Sequence, residues 1–576
     1  MVMMSLKPVV GLVGAGVLAS ELIHQYRCRS ALRSAQGRFL PAKPGERVVV
    51  LGAGIAGLTA ARELSEAGMD VIVVERRHGV AMETSAANAG TLNFTARTMV
   101  ASPENVKYAL QKMWHSFLGE KPELQEEAVE HVATPPQHQH TQQGSRIDAA
   151  PGHAATTAAT QTTEADANHQ QQKHPHKQPQ NQKQKQPQEQ QQEQQHHHHR
   201  LHHHHHHHHG DEGIVTELIE DFRYFFFERR LLFTLSFWKW AANFVSLALT
   251  HTEQRKAFVD DLVAESLAAL QDTRRTTRMP FEYRRAGSLY IHSDADLFHQ
   301  RAREGLLAGR GEVAVTAAKA QTMEPSLSNL TFVGAMHRRN DAVGDCQLFC
   351  RHMSEWLTAR GVAIRFGLTA TDVMLDGDGR ACAVQLYNTQ HGSSEQLQCD
   401  HVVVCCACDS ATPLATTGLS WLPIMPVRGY TLTGRANQDP RKCPTNYLLF
   451  EEPIEMAVTR LGDRIRFSSY AEITTALEPK EERLKDLRRI VDRLFPNAFD
   501  EDDPDAQEWV GRRPMTSDAL PIVSQTHIPN VFLHTGHGAD GWRWSHATAR
   551  VLRAIMLDER SPLDPRFLAL DRFWFL

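Results

Sequence analysis

A buried strand running through a glycine turn into a helix, strands and helices interleaved rather than segregated, and a return to glycine-rich motifs from Trp509 onward predict an α/β fold. It is expected to comprise a Rossmann-type nucleotide-binding domain and a second, mixed-sheet domain, interrupted by a long disordered insertion. Because glycine motifs occur at both ends of the foldable chain, one nucleotide site is expected to be assembled from both.

Before the first strand, Pro8 to Ile23 is apolar but too short to span a bilayer as a helix, which takes about 20 residues. Arg27, Arg29, Arg33 and Arg38 follow, with Glu21 as the only acid before Glu46. An arginine-rich, acid-poor leader reads as a mitochondrial targeting segment; a membrane anchor and an untargeted cytoplasmic leader are the alternatives. Gly11 to Gly16 imitates a glycine fingerprint but lacks a downstream strand ending in an acid, and is read as a decoy.

The true fingerprint comes next. Arg47 to Leu51 is a buried-strand run, Leu58 to Ala67 has helical composition, and Asp70 to Val74 is a second strand that ends at Glu75. In Gly52-Ala53-Gly54-Ile55-Ala56-Gly57 the first glycine permits the turn, the second admits a pyrophosphate, and the third lets helix and strand pack closely. The helix N-terminus faces the phosphates, and Glu75 suits a ribose hydroxyl while repelling a 2′-phosphate. FAD or NAD is indicated, not NADP.

From His131 to Gly210 the chain is nearly all Gln, His, Lys, Pro, Ala and Thr, with histidine runs at 196–199 and 202–209, and such a stretch cannot bury a core. A tolerated surface insertion is the reading, with metal or partner binding by the imidazoles as the alternative. Phe222 to Leu249, rich in aromatics, is expected to be a core helix or a membrane-facing surface, which would mean peripheral association because Arg229, Arg230 and Lys239 interrupt any span. Further strands are expected at 287–292, 363–366, 383–387 and 401–405, and helices at 347–360 and 481–494. The chain thus divides into a leader, 1–44; nucleotide-binding segments 45–130, 336–415 and 509–576; the insertion, 131–212; and segments 213–335 and 416–508 of a helical and substrate domain.

With 62 Lys and Arg against 67 Asp and Glu, the net charge of -5 offers no bulk attraction for nucleic acid, so a small-molecule substrate is expected. The 9 cysteines are odd in number and lack framework spacing, which fits a reducing compartment without structural disulfides. Cys405 and Cys408 have Cys-x-x-Cys spacing, but at the end of an apolar strand buried thiols are expected there and no metal site.

Directly after the second strand, Glu83-Thr84-Ser85-Ala86-Ala87-Asn88-Ala89-Gly90 closely resembles the segment that follows the ribose-binding acid in bacterial D-amino acid dehydrogenases. Likenesses continue in the same order through Asn340 to Phe349, Val427-Arg428-Gly429-Tyr430, Thr459-Arg460 with Arg464-Ile465-Arg466, Gly511 to Val523, and Thr535 to Trp542. They cover nearly the whole chain outside the leader and the insertion.

The resemblance implies FAD rather than NAD. It implies oxidative deamination of a D-amino acid to a 2-oxo acid and ammonia, by hydride transfer from the substrate Cα to flavin N5, with quinone or oxygen as electron acceptor. It carries cofactor binding to Gly52, Ala53, Gly54, Ile55, Ala56 and Gly57; to Glu75, Arg76, Thr84, Ser85, Asn88, Ala89, Gly90 and Ala370; and to Gly536, His537, Gly538, Ala539, Asp540, Gly541 and Trp542. Within the last group the glycine-dense turn is expected to bring bare N–H groups to the flavin. Arg513 matches the position that anchors the substrate carboxylate in related oxidases, a task that suits a planar fork of donors. Tyr430 is implied to line the substrate pocket, although an aromatic there suits a core equally well.

The chain departs from the family's pattern at Ala407, where glycine is usual, at Ser468 and Ser469, which replace a glycine pair, and at Arg543 and Trp544. These departures keep open another small amine as substrate, such as glycine, an N-methylated glycine or an L-amino acid, and also a flavin-binding pseudoenzyme.

Overall fold

Aliphatic residues without an internal charge make Arg47–Leu51 a strand buried everywhere but at Arg47, as a central parallel strand requires. The elements that carry the site are, along the chain, β1 (Arg47–Leu51), α1 (Ile55–Glu66), β2 (Asp70–Val74), α2 (Leu235–Leu249), β3 (His401–Val404), β4 (Ile424–Arg435), β5 (Arg464–Ile473), α3 (Glu481–Leu494), β6 (Gln507–Thr516), β7 (Val531–Thr535) and α4 (Gly541–Leu557). The computed structural model describes residues 39, 41–94, 224–250, 252–308, 311–450, 455–499 and 503–573. All of these belong to one unit, Met1–Pro122 with Asp211–Leu576. The leader up to position 38 and the histidine-rich insertion lie outside the described residues.

One sheet has six strands in the order Ile522–Gln525, β7, β3, β1, β2, Ala363–Arg365. All its neighbours are parallel except the first pair. Parallel strands end on the same side, so the turns after β1, β3 and β7 emerge together at the carboxyl edge, the place where open α/β sheets bind ligands. Helices α1 and α4 share a core on this sheet, with Leu58, Ala61 and Leu64 facing Trp544, Ala547 and Val551.

The second sheet has nine strands, with β6 at its edge beside β4 and β4 beside β5. Opposite residues of an antiparallel pair share a face and successive ones alternate. Arg513 opposes Val427, Gly511 opposes Gly429, and Trp509 opposes Thr431, so these lie on one face. The Thr431 hydroxyl donates to the Ala87 carbonyl at 3.2 Å, which turns that face toward segment 83–90. On the other face lie Tyr430 and Leu432, packed with Leu487, Ile490, Val491 and Leu494 of α3, whose spacing makes one apolar stripe.

Three expectations change. Phe222 to Leu249 is not one helix: Phe225–Phe227 is a strand paired in parallel with β5, a short 3₁₀ turn follows, and α2 starts after Thr234, whose hydroxyl accepts the Phe237 N–H. Backbone pairing to the last residues of β5, Ala471 to Ile473, outweighs a helical composition at Phe225–Phe227. The first helix starts at Ile55, inside the glycine turn, rather than at Leu58. Finally, β6 belongs wholly to the nine-stranded sheet and Gly334–Arg338 is also one of its strands, so the fingerprint domain resumes after Thr516, not at 509.

No helix of the described residues is long and apolar enough to cross a membrane. Phe233, Leu235, Trp238, Val245 and Leu249 are nevertheless exposed, Phe233 by 90%.

Candidate cofactor and substrate site

The three fingerprint glycines separate by what a side chain would meet. Gly52 has φ +104°, and a Cβ there would lie 2.8 Å from the Cys405 carbonyl oxygen. At Gly57 a Cβ would overlap the Gly52 carbonyl. Around Gly54, by contrast, the one neighbour is Ser85 Oγ at 3.4 Å. Gly52 and Gly57 are thus closed by the protein, whereas Gly54 borders open space, the arrangement a close-approaching phosphate needs. No side chain caps α1 at Gly54 itself, and of the N–H groups in its first turn Ser85 Oγ takes that of Ile55. Ser85 Oγ accepts the Ile55 N–H at 3.1 Å, joining the fingerprint to segment 83–90.

At the end of β2, Glu75 is buried and its two oxygens accept the N–H groups of Ala53 and Arg77, each at 2.8 Å. Burial pushes its pKa up, against those two hydrogen bonds. Each oxygen keeps a lone pair for a hydroxyl. Ala370 lies on Leu368–Leu375, and that strand starts beside Glu75, whose carbonyl accepts the Leu368 N–H at 3.0 Å. Arg76 is committed to Glu83 at 2.6 Å and Asp409 at 2.8 Å.

Segment 83–90 is tied to the second sheet at successive points. Thr84 donates to the Arg512 carbonyl at 2.7 Å, Arg466 donates to that of Asn88 at 2.7 Å, and Thr459 donates to that of Ala89 at 2.7 Å. Asn88 Oδ1 accepts the Gly90 N–H. The segment therefore forms the seam between the two sheets.

The C-terminal turn reaches the same seam. His534 Nδ1 lies 3.1 Å from the Ala56 carbonyl in the first turn of α1, which brings the two distant glycine turns together. Gly536 and Gly538 have φ of +71° and +56° and press against Thr516 and Met515 of β6. The Gly538 N–H donates to Pro514 O at 3.0 Å, so it is not bare, contrary to expectation. Trp542 is also corrected: its ring is buried against Phe281 and Phe349 and its Nε1–H donates to Gly344 O, leaving only its backbone at the turn. Asp540 pairs with Arg543 at 2.7 Å, and Ala539 lies between His537 and Asp540 in the same turn.

Arg513 lies two residues from the Met515–His537 bridge. Its Nη1 donates to the Tyr470 carbonyl at 2.9 Å, and among the described residues no carboxylate interacts with it. Loss of hydration alone pushes its pKa down to about 10. The guanidinium lies across Gly429, where a Cβ would come within 2.6 Å of Cζ. Tyr470 supplies its carbonyl from a β-bulge at φ +70°, an outlying conformation for a bulky residue. Gly429→Ala should displace the guanidinium and raise KM for a carboxylate substrate about 10- to 100-fold at unchanged FAD content, measured by steady-state kinetics and flavin absorbance.

Tyr430 does not join Arg513. Strand alternation puts it on the opposite face, fully buried, with its hydroxyl donating to Glu472 at 3.0 Å and accepting the Lys480 N–H at 3.2 Å. The expectation that it lines the substrate pocket is overturned in favour of the core. Tyr430→Phe should cost about 1 to 2 kcal/mol in denaturant unfolding and leave kcat/KM unchanged.

The departures from the family's pattern also resolve. Ala407 has φ +51°, the left-handed region that favours glycine. Ala407→Gly should stabilise the fold by about 1 kcal/mol in the same assay, relief of strain exceeding the added chain entropy. Ser468 and Ser469 are buried, bonded to Thr431 and Glu455 O. Trp544 is core, and Arg543 is held by Asp540 and Asn93 O. Burial raises the thiol pKa of Cys405 well above its ordinary value and those of Cys406 and Cys408 to about 12, so they pack as neutral thiols. Among the described residues no group of three or more His, Cys, Asp or Glu is arranged to hold a metal.

The sequence profile of the DAO family, FAD dependent oxidoreductase, matches residues 47–223 and 233–555. This chain belongs to that family. The DAO-family chain is 26% identical to a D-amino acid dehydrogenase of Neisseria gonorrhoeae over 92% of its own length and 99% of the relative's. Among solved structures it resembles L-proline dehydrogenase from P. horikoshii, with a TM-score of 0.55 at 11% identity, covering 92% of this chain and 98% of that one. It also resembles glycine oxidase from Geobacillus kaustophilus, with a TM-score of 0.55 at 14% identity, covering 91% and 98%. The protein is thus an FAD-dependent oxidoreductase of the amino acid and amine class, with a Rossmann-type FAD-binding domain and a mixed-sheet substrate domain. Gly429, Tyr470 and Met515 escaped the sequence reading as site residues because what they do depends on cross-strand partners.

Proposed function

We propose that this enzyme oxidises a small D-amino acid, releasing an imino acid that water converts to a 2-oxo acid and ammonia. The observation that carries the reading is Arg513, a guanidinium at the seam with no carboxylate of its own among the described residues. A substrate carboxylate would supply the missing acceptor, bidentate on the fork. The preference for D-amino acids rests on the name of the curated relatives.

The pyrophosphate of FAD would lie over Gly54 at the N-terminus of α1, the adenosine ribose at Glu75 with Ala370 alongside, and the ring between Thr84–Gly90 and Gly536–Gly541. FAD, when bound, supplies the acceptor for the hydride that leaves the substrate Cα. Arg513 fixes the carboxylate end, and with it the direction of the Cα–H bond. Tyr470 O and the space left by Gly429 fix Arg513 in turn.

Anaerobic addition of a panel of D-amino acids, L-amino acids, glycine and N-methylglycine to the holoenzyme, followed by flavin absorbance, tests this. D-amino acids should bleach the flavin. Bleaching by L-amino acids or N-methylglycine alone replaces the substrate, and no bleaching by any of them favours the pseudoenzyme.

For the electron acceptor, the exposed row Phe233, Leu235, Trp238 and Leu249 beside the exposed Arg229 and Arg230 favours a quinone reached at an anionic lipid surface. Turnover with a soluble quinone should exceed peroxide release in air, and the protein should sediment with anionic but not neutral vesicles.

A further inference from the structure

Three buried residues join the two cofactor turns, and their proton positions follow from their partners. His534 Nδ1 lies 3.1 Å from the Ala56 carbonyl oxygen, an atom that only accepts. Nδ1 must therefore carry a hydrogen. Its Nε2 lies 2.8 Å from Thr548 Oγ1, and His537 Nε2 lies 3.0 Å from the same oxygen. Both imidazoles are shut off from water, which pushes both pKa values down, that of His534 to about 4, and keeps both rings neutral.

A neutral ring has one N–H. With Nδ1 of His534 protonated, its Nε2 is bare and must accept. The single hydroxyl hydrogen of Thr548 is the available donor, although Trp544 O at 3.0 Å and Ser545 O at 3.3 Å compete for it along the helix. Leaving it on either carbonyl would set two lone pairs against each other across the 2.8 Å between Thr548 Oγ1 and His534 Nε2. Once that hydrogen points to His534, Thr548 Oγ1 can only accept from His537, whose Nε2 must then be protonated. The two histidines, 4.7 Å apart and edge to face, are opposite tautomers.

We propose that His537 Nε2–H, Thr548 Oγ1–H and His534 Nδ1–H form one directed chain of hydrogen bonds ending on Ala56 O, and that these three are positioning residues that latch the flavin-side turn to the pyrophosphate-side turn. His537 belongs to Gly536–Gly541, Ala56 to Gly52–Gly57, and Thr548 is two turns into α4. The chain thus spans the gap FAD must bridge, and a hydroxyl at 548 is its hinge.

Two measurements decide it. In 15N-histidine spectra of the wild-type holoenzyme, assigned by the signals lost in His534→Gln and His537→Gln, His534 should be the Nδ1–H tautomer and His537 the Nε2–H tautomer. The same tautomer in both, or a cationic ring at neutral pH, overturns the proposal without any variant at 548 having to fold. The FAD dissociation constant, from flavin fluorescence on serial dilution of the holoenzyme, should rise about ten-fold in Thr548→Val, the effect of a lost buried hydrogen bond, and stay within about two-fold in Thr548→Ser. Equal constants in the two variants refute the latch, because both alter packing but only one removes the hydroxyl.

Discussion

Arg513→Ala should lower kcat/KM for the best amino-acid substrate roughly 10²- to 10³-fold, an effect of about 3 to 4 kcal/mol, while the purified variant keeps its FAD. Two facts set that size. Among the described residues no carboxylate neutralises the guanidinium, so under the proposed function the substrate carboxylate would be its counter-charge and truncation would leave that carboxylate unpaired in a desolvated site. Arg513 also sits on the edge strand of the nine-stranded sheet, whereas Gly54 and Glu75 follow strands of the six-stranded one, so its loss should leave the residues proposed to hold the phosphate and ribose in place. The loss should fall mainly on KM, as expected for an interaction that grips the bound substrate and persists through the reaction. Simple amines without a carboxylate should be turned over equally by wild type and variant. Steady-state kinetics with an amino acid and its decarboxylated amine measure both. If KM is unchanged, Arg513 does not bind the substrate.

Gly57→Ala should abolish the folded holoenzyme, whereas Gly54→Ala should leave a folded protein that binds FAD weakly. At 57 a methyl group would occupy the place of the Gly52 carbonyl oxygen, a backbone atom held by the turn, so that β1 and α1 cannot keep their separation. The core of Leu58, Ala61 and Leu64 would be pried off the sheet with it. At 54 the methyl meets Ser85 Oγ at 3.4 Å, ordinary contact, and otherwise enters open space. That space is where a phosphate would lie, so the cost falls on the ligand, about ten-fold or more in FAD affinity. Soluble yield, thermal unfolding and flavin content separate the outcomes. Similar melting curves and equal FAD content in both variants would mean that the three glycines do not divide their roles in this way.

Much of the first sheet could be read directly from residue order. β1, the turn, α1 and β2 are local: a run of valines, three glycines at set spacing, and Glu75 at a strand end require no knowledge of distant chain. Segment 83–90 and the turn at 536–541 were legible as motifs, but the partners they bind were not. Gly538 looked like a bare donor because nothing in its own neighbourhood reveals that Pro514 O takes its N–H. Phe225–Phe227 looked helical because a three-residue strand has no period of its own and exists only by pairing with β5.

Tyr430 and Arg513 mark the line between what composition determines and what packing decides. Both stand in recognisable motifs; the residue types establish a nucleotide fold and a cofactor other than NADP as expectations, and the family resemblance adds FAD and a carboxylate-binding arginine. Which of the two faces the seam depends on strand parity and on the register of β4 against β6, quantities set by the whole nine-stranded sheet. A side-chain period of two means that a shift of one residue exchanges core for cavity, and only the tertiary contacts of Thr431 with Ala87 on one face and of Tyr430 with Glu472 on the other select between them.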